Sequence, residues 1–234
     1  MSLSSLLTKH CPKYEAEIPS TSIKKWFRPI LVKEEKKLLT IQQFGNEKEM
    51  INCVVEVLES CFDAENFKEL TIVDIEYLFI LLRIKSIGSI VSPILVCPHT
   101  QENITLKIDL EELQINKTLT HSNIIDLGNN TILTMKHPTI SMLLDDPGNK
   151  INETLYNMAL KCMNTIQTDT ELIECSMQST MELESFLDNM TKQQFAKIIE
   201  FFDTMPKLEK TLSYTTSDGI DRNITLKGIK DFFV

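Results

Sequence analysis

The chain has 234 residues, 42% of them hydrophobic, with six glycines and eight prolines. That is enough apolar material for one large domain or two small ones, and it excludes a disordered or fibrous protein. A formal net charge of −9 argues against a general nucleic-acid binder, which carries a basic footprint, and favours protein partners.

Leu3, Leu6 and Leu7 are interrupted by serine and followed by Lys9, so no continuous apolar stretch of a signal peptide forms. The richest apolar run, 72–90, carries Asp74, Glu76, Arg83 and Lys85, which suits a buried helix and not a membrane span. Cys11, Cys53, Cys61, Cys97, Cys162 and Cys175 form no C-x-x-C pair, so they read as free structural thiols in a reducing cytoplasm.

Residues 1–22, with Pro12 and Pro19, read as an extended N-terminal arm, and 23–234 as a single α+β domain, mainly helical. The stretch 23–30 mixes Trp26 and Phe27 with Lys24, Lys25 and Arg28. It reads as an edge strand, because Pro29 cannot donate to a ladder, with contact to an anionic surface as the competing reading. Helices are predicted over 33–44 and 46–61. The second opens on Asn46 with Glu49 three residues on, the capping-box spacing, and continues with Met50, Val54, Val57, Leu58 and Cys61 on one face.

Thr71 with Asp74 opens a third helix that is apolar nearly all round and therefore central, ended by Gly88. Extended runs 90–96 and 104–110 then flank the turn 98–102, a hairpin signature. A further small hairpin is predicted from 124–127 and 131–135 around Gly128-Asn129-Asn130, and Pro138 is placed in the first turn of a short helix to Leu144. The pattern then predicts helices over 151–166 and 179–189, with 168–177 ambiguous. Thr191 and Gln194 cap a helix faced by Phe195, Ile198, Ile199 and Phe202 and stopped by Pro206. Runs 208–215 and 223–226 flank a turn with Gly219, and 229–233 form a last turn.

Two helix–hairpin units emerge, 71–113 and 191–234. Asn103-Ile104-Thr105-Leu106-Lys107 and Asn223-Ile224-Thr225-Leu226-Lys227 are identical at an offset of 120, and the same offset relates Thr71 to Thr191. This in-phase match predicts an internal duplication.

Chemistry is sparse. Cys97-Pro98-His99-Thr100 sits where a zinc knuckle places ligands, but a structural site needs four, and the matching turn 216–221 has no Cys or His. Cys97, Cys162 and Cys175 are possible thiol nucleophiles and His99, His121 and His137 possible bases, yet no local motif links any pair. Asp145-Asp146 and Glu111-Glu112 read as turn or helix-end charges. The expectation is a non-enzyme without metal or cofactor. Partner anchors are expected among Trp26, Phe27, Phe201, Phe202, Met205, Pro206, Phe232 and Phe233, which could instead fill the core.

Phe201-Phe202-Asp203-Thr204-Met205-Pro206-Lys207-Leu208, with Leu226-Lys227-Gly228-Ile229-Lys230-Asp231-Phe232-Phe233, resembles the C-terminal signature of the T-even-type baseplate hub subunits, also described as hub assembly chaperones, of contractile-tailed phages. The segment from Asp74 to Arg83, with Ser86-Ile87-Gly88, is similar to the middle helix of that family. Relatives often carry Cys-Pro-x-Cys-Gly turns in both hairpins. Here Cys97-Pro98 survives in the first with Thr100 in place of the second cysteine, and the second turn has lost both. The resemblance implies binding to other hub proteins in the host cytoplasm during assembly, with a place in the virion tail baseplate left open. The alternative is a degenerate zinc-ribbon-like nucleic-acid module, which the net charge opposes.

Overall fold

The computed structural model describes residues 11–63, 65–116, 118–145 and 151–228. Among them are seven α-helices and several small antiparallel sheets, an α+β fold as expected. The chain divides into two compact units, one made of Met1–Asn116 with Lys207–Val234 and the other of Lys117–Pro206.

The first unit opens with strands β1 (Tyr14–Glu17) and β2 (Lys24–Phe27), which pair antiparallel, with Tyr14 opposite Phe27 and Glu15 opposite Trp26. Part of the segment expected as an arm is thus a paired strand. Helix α1 (Val32–Phe44) follows. Helix α2 (Glu47–Cys61) has its capping box formed as the spacing predicts, the Glu49 amide donating to Asn46 Oδ1 at 3.0 Å. Arg28 ties these elements together. Its Nη2 donates to Glu34 Oε1 at 2.9 Å and to the Ser60 carbonyl at 2.9 Å.

Helix α3 (Ile72–Ser86) is the pillar of this unit: Ile75, Leu78, Phe79, Ile80 and Leu82 are all buried. Removing one such side chain to alanine costs about 2–5 kcal/mol, because a packed interior collapses only partly around the gap. Gly88, at φ +130°, takes a backbone conformation closed to other residues just beyond the helix.

The expected first hairpin is split in two by Pro93, which has no N–H for the ladder. Strand β3 (Ile90–Val91) pairs with β6 (Ile108–Asp109), and β4 (Ile94–Val96) with β5 (Asn103–Thr105). Strand β7 (Ile115–Asn116) ends this part of the chain.

In the second unit, β8 (Ile124–Gly128) and β9 (Thr131–Met135) form the expected small hairpin. Asn129 and Asn130 both have positive φ, +52° and +57°, the conformation demanded by a two-residue turn that matches strand twist. Helix α4 (Ile140–Leu144) begins after Thr139, which leaves Pro138 outside the helix instead of in its first turn.

Helix α5 (Ile151–Cys162) is shorter than predicted. Residues 163–166 leave it for β10 (Met163–Gln167), where β-branched Thr165 and Ile166 pair with Thr134 and Leu133. Strand β11 (Leu172–Glu174) resolves the ambiguous stretch and completes the order β11-β10-β9-β8. Helices α6 (Thr180–Asp188) and α7 (Lys192–Thr204) carry capping boxes at Ser179/Glu182 and Thr191/Gln194. Leu133, Met135, Ala159, Cys162, Leu187, Ile198 and Phe201 form the core of this unit.

The chain returns to the first unit as β12 (Lys207–Thr215) and β13 (Asp221–Lys227), in the sheet order β13-β12-β7. Both hairpins share one core. Val91, Ile108 and Leu110 pack with Leu208, Leu226 and Ile80, and Leu95, Leu212 and Ile224 pack at its edge. In each identical pentapeptide Asn, Thr and Lys face solvent and Ile and Leu face inward. The second helix and its hairpin, unlike the first pair, fall in different units, because the division comes at Pro206–Lys207. The last predicted turn, 229–233, lies outside the described residues.

Candidate functional site

Strand periodicity separates the two N-terminal aromatic anchors. Trp26 is 52% exposed, whereas Phe27 is 2% exposed and stacks on Phe62 with centroids 4.8 Å apart. A two-residue strand period puts adjacent side chains on opposite faces of the strand. Phe27 is therefore core, and Trp26 is the ring left exposed. Helix α1 in the same unit adds exposed Val32, Leu39 and Phe44.

The described part of the C-terminal aromatic block packs inward. Phe201 is buried, Phe202 meets it edge-on at 5.2 Å, and Phe202 and Met205 pack half-buried against the core of the second unit. Pro206 is half-buried too. Phe232 and Phe233 lie outside the described residues.

The turn carrying Cys97 meets the turn at the tip of β12–β13. The Tyr214 hydroxyl donates to Cys97 Sγ at 3.4 Å, the Ser217 amide donates to Glu102 Oε2 at 3.1 Å, and the Ser217 hydroxyl also bonds Glu102. Arg222 clamps the second turn through Asp218, with Nη2–Oδ2 at 2.6 Å. The Arg222 bonds hold the Asp218 carboxyl well below the usual carboxylate range.

Burial alone would push the Cys97 thiol up, but hydrogen bonds from Thr100, Tyr214 and the amides of Thr100 and His99 outweigh it and bring it down to about 7. Cys97 is only 1% exposed, and a thiolate so enclosed is a structural acceptor and not a nucleophile within reach of substrate. His99 is exposed on the same turn. No group of three or more His, Cys, Asp or Glu side chains is placed to hold a metal among the described residues.

The other possible nucleophiles are buried. Burial pushes the Cys162 thiol up to about 12 and raises that of Cys175 as well. Two of the possible bases, His121 and His137, come together in the second unit with Nε2 atoms 2.9 Å apart. They border an open polar cleft of about 410 Å³ with Ser122, Asn123, Lys136 and Asn164. Sequence reasoning missed this pairing, as it missed Tyr214, Glu102 and Ser217. Each depends on a contact between distant segments that no local pattern announces.

Among the described residues, no helix is long and apolar enough to cross a membrane. The sequence matches the family model described as T4 bacteriophage base plate protein over residues 11–234. No curated protein matches, and no solved structure matches. A structural or assembly role in the phage tail baseplate, among other baseplate proteins, follows from the family. The chain belongs to the T4 bacteriophage base plate protein family.

Proposed function

We propose that this protein is a hub component or hub assembly chaperone of the phage baseplate, acting by binding other hub proteins and without catalysis. The match over 11–234 carries the baseplate part of this reading. The hub assignment rests on the resemblance of 201–208, 226–233 and 74–88 to hub subunits. The binding surface includes Trp26, a large amphipathic ring left 52% exposed, the kind of side chain that anchors protein interfaces. The identical pentapeptides, in the same inward–outward phase in both hairpins, support an internal duplication of the hairpin element.

The test is recovery of tagged protein from infected host cells, alongside purified finished particles, both read by mass spectrometry. Hub proteins in the pull-down with no trace in particles identify a chaperone that departs, and presence in both identifies a hub subunit. If no tail protein co-purifies, the hub reading falls. Trp26→Ala should weaken capture of the partner at least tenfold, equivalent to about 1.4 kcal/mol, with the circular dichroism spectrum unchanged.

A further inference from the structure

The second unit begins at Lys117 and ends at Pro206, and the His121–His137 pair lies where its two ends are held. His121 sits in the incoming segment ahead of β8, its amide donating to the Thr118 carbonyl at 3.0 Å. His137 follows β9, and Thr204 closes α7 just before the chain leaves. His121 Nδ1 lies 3.0 Å from Thr204 Oγ1, and its Nε2 lies 2.9 Å from Nε2 of His137.

The hydrogen-bond directions follow from counting protons. Thr204 spends its one hydroxyl proton on the Glu200 carbonyl at 2.7 Å, so it accepts from His121 Nδ1–H. A neutral His121 with its proton on Nδ1 has a lone pair on Nε2, which accepts from His137 Nε2–H. The ring centroids are 5.2 Å apart, close to the N–N distance plus two centroid-to-nitrogen lengths, and the planes differ by 24°. The two rings therefore meet edge to edge, along the line of the bond. Phe201 packs against both, at 5.3 and 5.6 Å.

We propose that His121, His137 and Thr204 form a proton-gated clasp that binds the incoming segment, the end of β9 and the last turn of α7 to one another. One added proton is accommodated, since a charged His137 still donates to His121 and its charge lies against the Phe201 ring. A second proton must sit on His121 Nε2, which sets N–H against N–H and ends the bond. The charged groups nearest in sequence to the clasp are Lys136 at the end of β9 and Glu200 and Asp203 in the last turn of α7, with Lys192 and Lys197 further back on that helix. Ser122 and Asn123 on the incoming segment and Asn164 on β10 carry no charge. Lys136 borders the same cleft as the pair and opposes the second proton, and burial lowers the affinity of His121 for it. The clasp is closed at neutral pH and opens on acidification.

The intact chain with 15N-labelled histidine gives the direct test. At pH 7.5 His121 should be the Nδ1–H tautomer with an unprotonated Nε2, and an Nε2–H tautomer would overturn the proposal. Hydrogen exchange of peptides covering 118–124 and 134–138, corrected for intrinsic rates, gives the functional test. Once the pair holds its first proton, opening takes up one more and should rise about tenfold per pH unit on further acidification. His137→Gln should stay closed across the range, because its amide donates to neutral His121 or turns its oxygen to the charged form. Equal protection of the wild-type chain at pH 7.5 and 5.5, or acid opening in His137→Gln as large as in wild type, would rule the clasp out.

Discussion

The Tyr214 hydroxyl donates to the Cys97 thiol across 3.4 Å, joining two hairpin turns 117 positions apart in the chain. The pair perturbs both partners in opposite senses. Thiol pKa falls, while the tyrosine hydroxyl is pushed up, first by its bond to Cys97 and then by burial.

Cys97 should therefore titrate near 7, against an ordinary 9.0. Its folded value lies below its unfolded one, so its contribution to stability is complete above the unfolded value and fades as pH falls through about 7. Tyr214→Phe should move the thiol upward, as read by the pH dependence of the 13Cβ shift of Cys97. An unchanged midpoint would mean that the tyrosine bond contributes nothing to the thiolate.

Glu34 lies at the start of α1, where burial would raise its carboxyl but Arg28, the Ser60 hydroxyl and the Leu31 amide together lower it to about 2. Its stabilising effect is full above the ordinary value of 4.5 and is lost as pH falls toward 2. Discounted for partial screening by solvent, this amounts to about 2 kcal/mol. Glu34→Gln should lower the urea midpoint at pH 7 and flatten the acid limb between pH 4.5 and 2. Equal acid limbs in the two proteins would contradict this.

Glu76 on α3 behaves in the reverse sense. Burial alone raises its carboxyl to about 7, so the folded form prefers the proton. The advantage is complete below 4.5 and disappears as pH rises through about 7. Glu76→Gln should match wild type at pH 4 and exceed it at pH 8 by up to about 3 kcal/mol. Denaturant unfolding at the two pH values decides the matter. Gly228→Ala should destabilise at both, since its added Cβ would sit 3.2 Å from Glu76 Oε1 at a φ of +70°.

Thr191 caps α7 by accepting from the Gln194 amide at 3.3 Å, and Gln194 Nε2 reaches on to the Leu127 carbonyl at 2.7 Å. Thr191→Ala should cost about 1 kcal/mol. Gln194→Ala should cost more than that, because it also strands a carbonyl of β8. A double-mutant cycle near zero coupling would show that the cap and the strand contact act separately.

Helix starts were legible in the sequence wherever the signal is local. Asn46/Glu49, Thr71/Asp74 and Thr191/Gln194 each satisfy orphan amides within four residues, and all three boxes form. The same holds for the Asn129-Asn130 turn and for the inward phase of the repeated pentapeptides, because φ restriction and a two-residue strand period act within a few bonds. The α+β class and the family resemblance followed from such local patterns.

Tertiary structure alone decided the rest. Residues 163–166 have an apolar spacing that fits a helix, yet the edge of β9 offered Thr165 and Ile166 a ladder, and pairing overrode periodicity. Trp26 and Phe27 are equivalent by composition, and only the packing of Phe62 and Tyr14 against one face determined which ring is buried. The Cys97–Tyr214 bond and the His121–His137–Thr204 cluster require segments 117, 16 and 83 positions apart to meet. Such contacts arise from how whole elements bury their apolar faces, a global property that no short stretch of sequence encodes.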